Sequence, residues 1–153
     1  MTFHSSTVFA ALVLGAPLVA TAQDSLPPLP DSTGWGVHVL TAARDPQGGI
    51  WAGTYGEGMY RLAPGARDWQ PFRHDTIGKS ISMDFVQAIA FGPRGEIWYG
   101  TVGNGWGLSL DGGATWRNWA YEQLGPEWQY VAPGGIAVRG DTTMIATADG
   151  LQI

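Results

Sequence analysis

The stretch Phe72-Arg73-His74-Asp75 places a guanidinium, an imidazole and a carboxylate side by side, the groups that grip an anion or pass a proton. Nothing elsewhere in the chain completes such a machine. His4 lies near the N terminus, and His38 and His74 stand 36 residues apart. No H-x-H, H-E-x-x-H or Asp-rich loop offers ligands at metal-binding spacing. Cysteine is absent, which removes thiol nucleophiles, disulfides and thiolate zinc sites. There is no G-x-S-x-G elbow, and the glycines from Gly53 to Gly58 precede no helix that could cradle a phosphate. The residues present therefore point to no catalytic constellation, no metal and no cofactor. A second set reads as recognition chemistry. Tyr55, Glu57, Asn104 and Trp106, with Arg73, His74, Asp75, Lys79, Trp128 and Tyr130, set aromatic faces beside hydrogen-bonding groups. That combination suits a small molecule, a glycan or a peptide.

The elements that must carry these residues repeat. Asp45-Pro-Gln-Gly-Gly-Ile-Trp-Ala-Gly-Thr54 lies over Gly92-Pro-Arg-Gly-Glu-Ile-Trp-Tyr-Gly-Thr101 at an offset of 47, and 12 of the 31 positions from Val39 to Trp69 are identical without a gap. A third copy begins with Ile136-Ala-Val138 and Ile145-Ala-Thr147. Each copy reads as a four-stranded meander. Its first strand is an apolar run: Val37–Ala43, then Phe85–Phe91, then Gly135–Val138. A turn with Pro at its second position and Gly at its fourth follows in the first two copies, as a type I turn prefers. The second strand is Ile50–Thr54, Ile97–Thr101 or Met144–Thr147, and a glycine or alanine in its middle (Gly53, Gly100, Ala146) implies close approach of a neighbour. The third strand starts after Gly58, Gly105 and Gly150, and the fourth carries Trp69 and Phe72, then Trp116 and Trp119. A repeat of about 40–50 residues with four short strands predicts an all-β fold of propeller blades, because one meander can bury its faces only against the next. On that reading, binding residues sit on the loops joining strands two and three and on the connections between blades. The stretch Ser80–Asp84 belongs to the same face.

Ser109-Leu-Asp111-Gly-Gly113-Ala-Thr115-Trp116 resembles the Asp-box of the BNR and sialidase-like propellers. The resemblance implies a hairpin turn between the third and fourth strands, stapled by Ser109, Asp111, Gly113 and Thr115, with Trp116 between blades. It implies a structural role, on the face away from a ligand. Ile50-Trp-Ala-Gly-Thr54-Tyr-Gly-Glu-Gly58 and Ile97-Trp-Tyr-Gly-Thr101-Val-Gly-Asn-Gly105 resemble the two-component-regulator propeller repeat, in which the propeller is the exported sensor half of a signalling protein. The sialidase pattern is not reproduced: its first arginine sits in an F/Y-R-I-P stretch, whereas Phe72-Arg73 is followed by His74-Asp75.

Propellers close with about 4–8 blades. The repeats here span two blades (about 36–75 and 83–122) and the start of a third from about 134, so an incomplete propeller of about two and a half blades is expected, with further blades beyond Ile153. An open array leaves strand edges for self-association. Val8–Ala22 is an uncharged apolar run ending in an A-x-A site, which reads as a signal peptide cleaved near Ala22, with export to a periplasm or beyond. Residues 23–35, rich in proline, read as an extended linker. The net charge of −5, with a single lysine and no basic stripe, excludes a nucleic-acid surface. Contact with a membrane is expected only through a part beyond Ile153. The expected function is an exported ligand-binding or sensing module. The rivals are the N-terminal part of a secreted Asp-box glycosidase, or a scaffold for protein assembly.

Overall fold

A computed structural model of the chain describes residues 25–153; the expected signal peptide lies outside the described residues. Strands β1 (Val39–Arg44), β2 (Ile50–Thr54), β3 (Met59–Leu62) and β4 (Gln70–Phe72) form one sheet. Strands β5 (Val86–Phe91), β6 (Ile97–Thr101), β7 (Trp106–Ser109) and β8 (Arg117–Trp119) form a second. After a single helical turn, α1 (Tyr121–Leu124), strands β9 (Val131–Arg139), β10 (Thr142–Thr147) and β11 (Gly150–Gln152) form a third. All three are antiparallel meanders in chain order. The fold is all-β, a succession of propeller-like blades of four, four and three strands.

The 47-residue repeat is a repeat of detail. The first two strands of each blade pair with a register shift at one place, between Val39 and Thr41 in blade 1 and between Val86 and Ala88 in blade 2. At the end of the second strand, Thr54 Oγ1 donates to Gly58 O (2.9 Å) and accepts from Glu57 N (3.1 Å). Thr101 does the same with Gly105 O (2.9 Å) and Asn104 N (2.8 Å). Thr147 does it with Gly150 O (3.1 Å) and Asp149 N (3.2 Å). One hydroxyl thus closes each loop, satisfying groups that a tight turn would otherwise leave unpaired.

The blades bury their faces against each other. Trp51, Met59 and Phe72 of blade 1 pack with Val86, Ile89, Ile97, Tyr99 and Trp116 of blade 2 and with Ile81 between them. Ala88 and Trp106 of blade 2 pack with Val131, Ile136 and Ile145 of blade 3. Trp51 stacks on Phe72 (5.0 Å, 18°) as Trp98 stacks on Trp119 (5.9 Å, 17°). The mid-strand glycines are required by this packing. A Cβ on Gly53 would stand 2.7 Å from Val86 O of the next blade, and one on Gly100 would stand 2.5 Å from Val131 Cγ1. The first strand of blade 3 starts at Val131, ahead of the Gly135 read from the sequence: Val131 pairs with Thr147 and Ile136 with Ile145, and Ala132-Pro133-Gly134-Gly135 between them bulges out of the ladder, with Gly134 at a φ of 63°.

The proline-rich segment lies along blade 1. Trp69 Nε1 donates to Pro27 O (2.9 Å), Ser32 Oγ donates to Glu57 Oε1 (2.5 Å), and the one hydrogen of Tyr60 OH is shared between Pro30 O and Glu57 Oε2, each 3.3 Å away. After it, the Asp31 carboxylate gathers the backbone N–H groups of Thr33, Gly34 and Gly36 into a tight loop.

Candidate functional site

A cleft of about 400 Å³ opens beside blade 2, between the connection that enters it and the connection that leaves it and next to the β6–β7 loop, lined by residues that include His74, Ser82, Asn104, Asn118, Tyr121 and Gln123. Its floor is a closed network. The Tyr99 phenol is fully buried and accepts from Ser82 N (2.6 Å) while donating to Asn118 Oδ1 (2.7 Å). Burial pushes the phenol up to about 12, so it stays protonated and keeps donating. Asn118 Nδ2 donates to Ser80 O (2.9 Å), and Asn104 Nδ2 donates to Ser82 O (2.9 Å) while its Oδ1 accepts from Tyr121 N (3.0 Å). Every floor amide therefore has its place fixed by two partners, the preorganisation a binding site needs.

The rim is different. His74 is held by Nδ1 donating to Ile81 O (2.9 Å) and by its own backbone N–H donating to Asp84 Oδ1 (2.7 Å), which leaves Nε2 to the cleft. The Tyr121 phenol and the Glu122 carboxylate make no hydrogen bond among the described residues, and Tyr121 is 54% exposed. Gln123 uses Oε1 to accept from Ala120 N (3.0 Å), which presents its Nε2 outward. One aromatic face, a carboxylate, an imidazole nitrogen and an amide thus surround a cleft with a rigid polar floor. Such groups are complementary in hydrogen bonding and stacking to hydroxyls and amides.

The structure brings His74 and Asn104 of the sequence-derived set to this cleft, Asn104 in its floor. Tyr55 lies on the same face, exposed, with its ring edge-on to Phe85 at 4.6 Å. Glu57 points inward: it is 8% exposed, ion-paired with Arg73 and bonded by Ser32 and Tyr60. The Ser32 hydroxyl, with Arg73 beside it, holds the Glu57 carboxyl below the ordinary range. Arg73 is thereby committed to its own blade, since it also donates to Tyr60 OH (2.7 Å). Trp106 is buried at the interface of blades 2 and 3. Trp128 packs half-buried on that interface at a φ of 67°, held by its backbone N–H donating to Asp149 Oδ2 (2.7 Å). Packing and pairing, more than reach toward a ligand, account for Glu57, Trp106 and Trp128. Sequence reasoning missed Asn118, Tyr121, Glu122 and Gln123. Their elements gave no usable signal: β8 is three residues long and α1 is a single turn, too short for periodicity to register.

On the opposite face, the β7–β8 turn is stapled by side chains. Ser109 Oγ donates to Asp111 Oδ1 (2.8 Å) and accepts from Gly113 N (2.9 Å). Asp111 also accepts from Thr115 N (2.9 Å) and Thr115 Oγ1 (2.6 Å). Trp116 Nε1 donates to Gly113 O (3.1 Å), and its ring meets Tyr99 (5.2 Å) and Phe72 (6.3 Å) edge-on. The Thr115 hydroxyl, then the Thr115 amide, pull the Asp111 carboxyl down to about 2, from 3.8. A depressed folded-state pKa adds stability that is complete above the unfolded value and is lost as pH falls through the folded one. The wild type is therefore expected to melt above Asp111→Asn at pH 6, with the gap in Tm narrowing between about pH 4 and pH 2. A gap that does not change with pH would show that the charge contributes nothing.

No family model and no curated protein sequence matches the chain. Solved structures do. The extracellular domain of a hybrid two-component system protein from B. thetaiotaomicron is similar with a TM-score of 0.57 at 13% identity, over 81% of this chain and 19% of that one. The chain thus spans about a fifth of that structure's length, and the likeness is one of fold.

Proposed function

We propose that the chain is an exported sensing or ligand-binding propeller module, and that its ligand, a small molecule, glycan or peptide, sits in the cleft beside blade 2. The observation that carries the reading is the division of labour in that cleft: a floor whose polar atoms are all paired, below a rim whose Tyr121 phenol, Glu122 carboxylate and Gln123 amide point outward with donors and acceptors to spare. The similarity in fold to an extracellular domain of a two-component system protein supports the sensing half of the reading. The apolar run ending at Ala22 supports export.

The test is a titration of the folded chain with panels of oligosaccharides and short peptides, followed by side-chain amide NMR. A ligand found this way should shift the Asn118 and Gln123 amide signals. Tyr121→Ala combined with Glu122→Ala should weaken it by at least about tenfold, the equivalent of one or two lost contacts. A ligand whose shifts fall on the Asp45–Gly49 and Ser109–Thr115 turns would place the site on the other face and refute the reading.

A further inference from the structure

The groups left over in the cleft beside blade 2 have a sign. His74 Nδ1 faces Ile81 O at 2.9 Å, and a carbonyl can only accept, so the proton of the neutral imidazole is fixed on Nδ1. Nε2, on the cleft side, therefore offers a lone pair. The exposed Glu122 carboxylate, with no hydrogen bond among the described residues, offers acceptors and a full negative charge. The Tyr121 ring, 54% exposed, adds a π face, which carries negative potential. Of these rim side chains only Gln123, whose Oε1 is taken by Ala120 N, presents a pure donor. The floor does little to redress the balance. Ser82 Oγ donates to Asn104 O (2.9 Å), and the Asn104 and Asn118 amides are tied to Ser82 O and Ser80 O.

No lysine or arginine among the described residues lines the cleft, although three stand next to lining residues in the sequence. Arg73, beside His74, is ion-paired with Glu57 and donates to Tyr60 OH (2.7 Å). Arg117, beside Asn118, lies over the Trp119 ring, 4.7 Å from its centroid. Lys79, beside Gly78, lines a separate hollow with Asp75, Pro71 and Gly113. The fixed charge lining the cleft is thus that of Glu122 alone, in a chain whose net charge is −5. A neutral ligand leaves that charge unused, and an anion is repelled by it. An ammonium group answers every feature at once. It donates up to three hydrogens, balances the carboxylate and is attracted to the face of an aromatic ring.

We infer that the cleft selects a ligand bearing a primary ammonium group, with Glu122 and His74 Nε2 as its acceptors and the Tyr121 ring as its wall. The inference rests on the cleft reading above. It narrows the ligand from small molecules, glycans and peptides in general to their amine-bearing members, an amino sugar or a free peptide N terminus.

The test is an NMR titration of the full chain, read at the Asn118 and Gln123 side-chain amides, with two matched pairs of probes. One pair is the glucosamine trisaccharide and its N-acetylated form, the other triglycine amide and its N-acetylated form. Acetylation removes the charge and keeps the skeleton. The amine of at least one pair should bind at least about tenfold more tightly than its acetylated partner, and the pair that shows this names the source, sugar or peptide. Glu122→Gln should leave the melt unchanged, since the side chain is exposed, and should cut that preference at least about threefold. Raising the salt from about 50 to about 500 mM should do the same in the wild type. Both responses separate charge from the bulk of the acetyl group. Long-range proton–nitrogen spectra of the free chain above about pH 8 should show the His74 proton on Nδ1, and a proton on Nε2 would remove the acceptor and overturn the inference. Equal binding of the amine and acetylated forms at the cleft signals would overturn it and leave the cleft reading standing. An amine whose shifts fall on other residues would overturn both. Failure of either amine to bind by about 10 mM would also overturn it, with the cleft reading then decided by the wider panel of oligosaccharides and peptides.

Discussion

Asp45→Ala is expected to destabilise the chain by about 3–5 kcal/mol, the cost of breaking a buried, hydrogen-bonded ion pair from one side. Asp45 is 6% exposed and serves four donors. Its Oδ1 accepts from Gln47 N (3.0 Å) and Gly49 N (2.7 Å), and its Oδ2 accepts from Trp51 Nε1 (3.0 Å) and Arg61 Nε (3.0 Å). Removing the carboxylate leaves the tryptophan donor and the guanidinium without it, beside the core. Chemical denaturation monitored by tryptophan fluorescence would measure the loss, and a change below about 1 kcal/mol would mean that water replaces the carboxylate without penalty.

Blade 2 shows what would restore part of that loss. Gly92 stands where Asp45 does, and Glu96 stands where Gly49 does. Glu96 reaches back to accept from Arg94 N (2.8 Å), the amide that corresponds to Gln47 N, and its own backbone N–H also supports it. A carboxylate thus occupies the same turn in both blades, from the first residue in one and from the fifth in the other. The exchange is sterically enforced. A Cβ on Gly49 would stand 2.5 Å from Asp45 Oδ2, and one on Gly92 would collide with the Glu96 carboxylate. Asp45 also serves Trp51 and Arg61, whereas blade 2 has Leu108 in the place of Arg61 and a buried Trp98 Nε1 with no partner among the described residues. Gly49→Glu alone is expected to destabilise, by crowding two carboxylates. Combined with Asp45→Gly and Arg61→Leu it should recover part of the loss, with a favourable coupling of roughly 1–3 kcal/mol. Strict additivity of the substitutions would show that the two turns are unrelated solutions.

Such exchanges mark the limit of what the repeat made legible. Where both copies keep a residue, the reading reached the structure: Ile50–Thr54 and Ile97–Thr101 are strands, the glycines after them precede the third strand, and Gly53 and Gly100 face the next blade at close range. Identity at a fixed offset reports what packing demands of every blade alike. It is silent where two positions share one requirement, because the residue then moves between them and both positions appear unrelated. It is silent too on the inter-blade connections, which supply His74 and Ser82 from one side of the cleft and Tyr121 to Gln123 from the other and have no common length or pattern. Glu57 shows the remaining difficulty. An acid in a short loop between glycines reads as a solvent-facing group, yet its partners Arg73 and Ser32 lie 16 and 25 residues away and draw it inside.

The second large effect is expected at Tyr99, where core and cleft meet. Tyr99→Ala should cost about 3–5 kcal/mol, the usual range for removing a fully buried aromatic side chain. It should also release the cleft floor, because Ser82 N and Asn118 Oδ1 lose the phenol that holds both. Blade 1 again offers the alternative. Ala52 and Tyr60 are cross-strand partners, and the corresponding pair in blade 2 is Tyr99 and Gly107. Each blade holds one tyrosine and one small residue at this pair, in opposite order, and a Cβ on Gly107 would collide with the Tyr99 ring. Both phenols reach the segment entering their own blade, Tyr60 at Pro30 O and Tyr99 at Ser82. Gly107→Tyr is therefore expected to be damaging alone and restorative with Tyr99→Ala, raising the melting temperature of the double variant well above that of either single one. The floor would then be held from strand β7 in place of β6, so a double variant that regains stability but binds the cleft ligand weakly would separate the two duties of Tyr99. Recovery of both together would mean that the phenol's position, whichever strand supplies it, is what the cleft requires. No recovery of stability would show that the two pairs are not interchangeable, and that the blades reached their packing independently at this point.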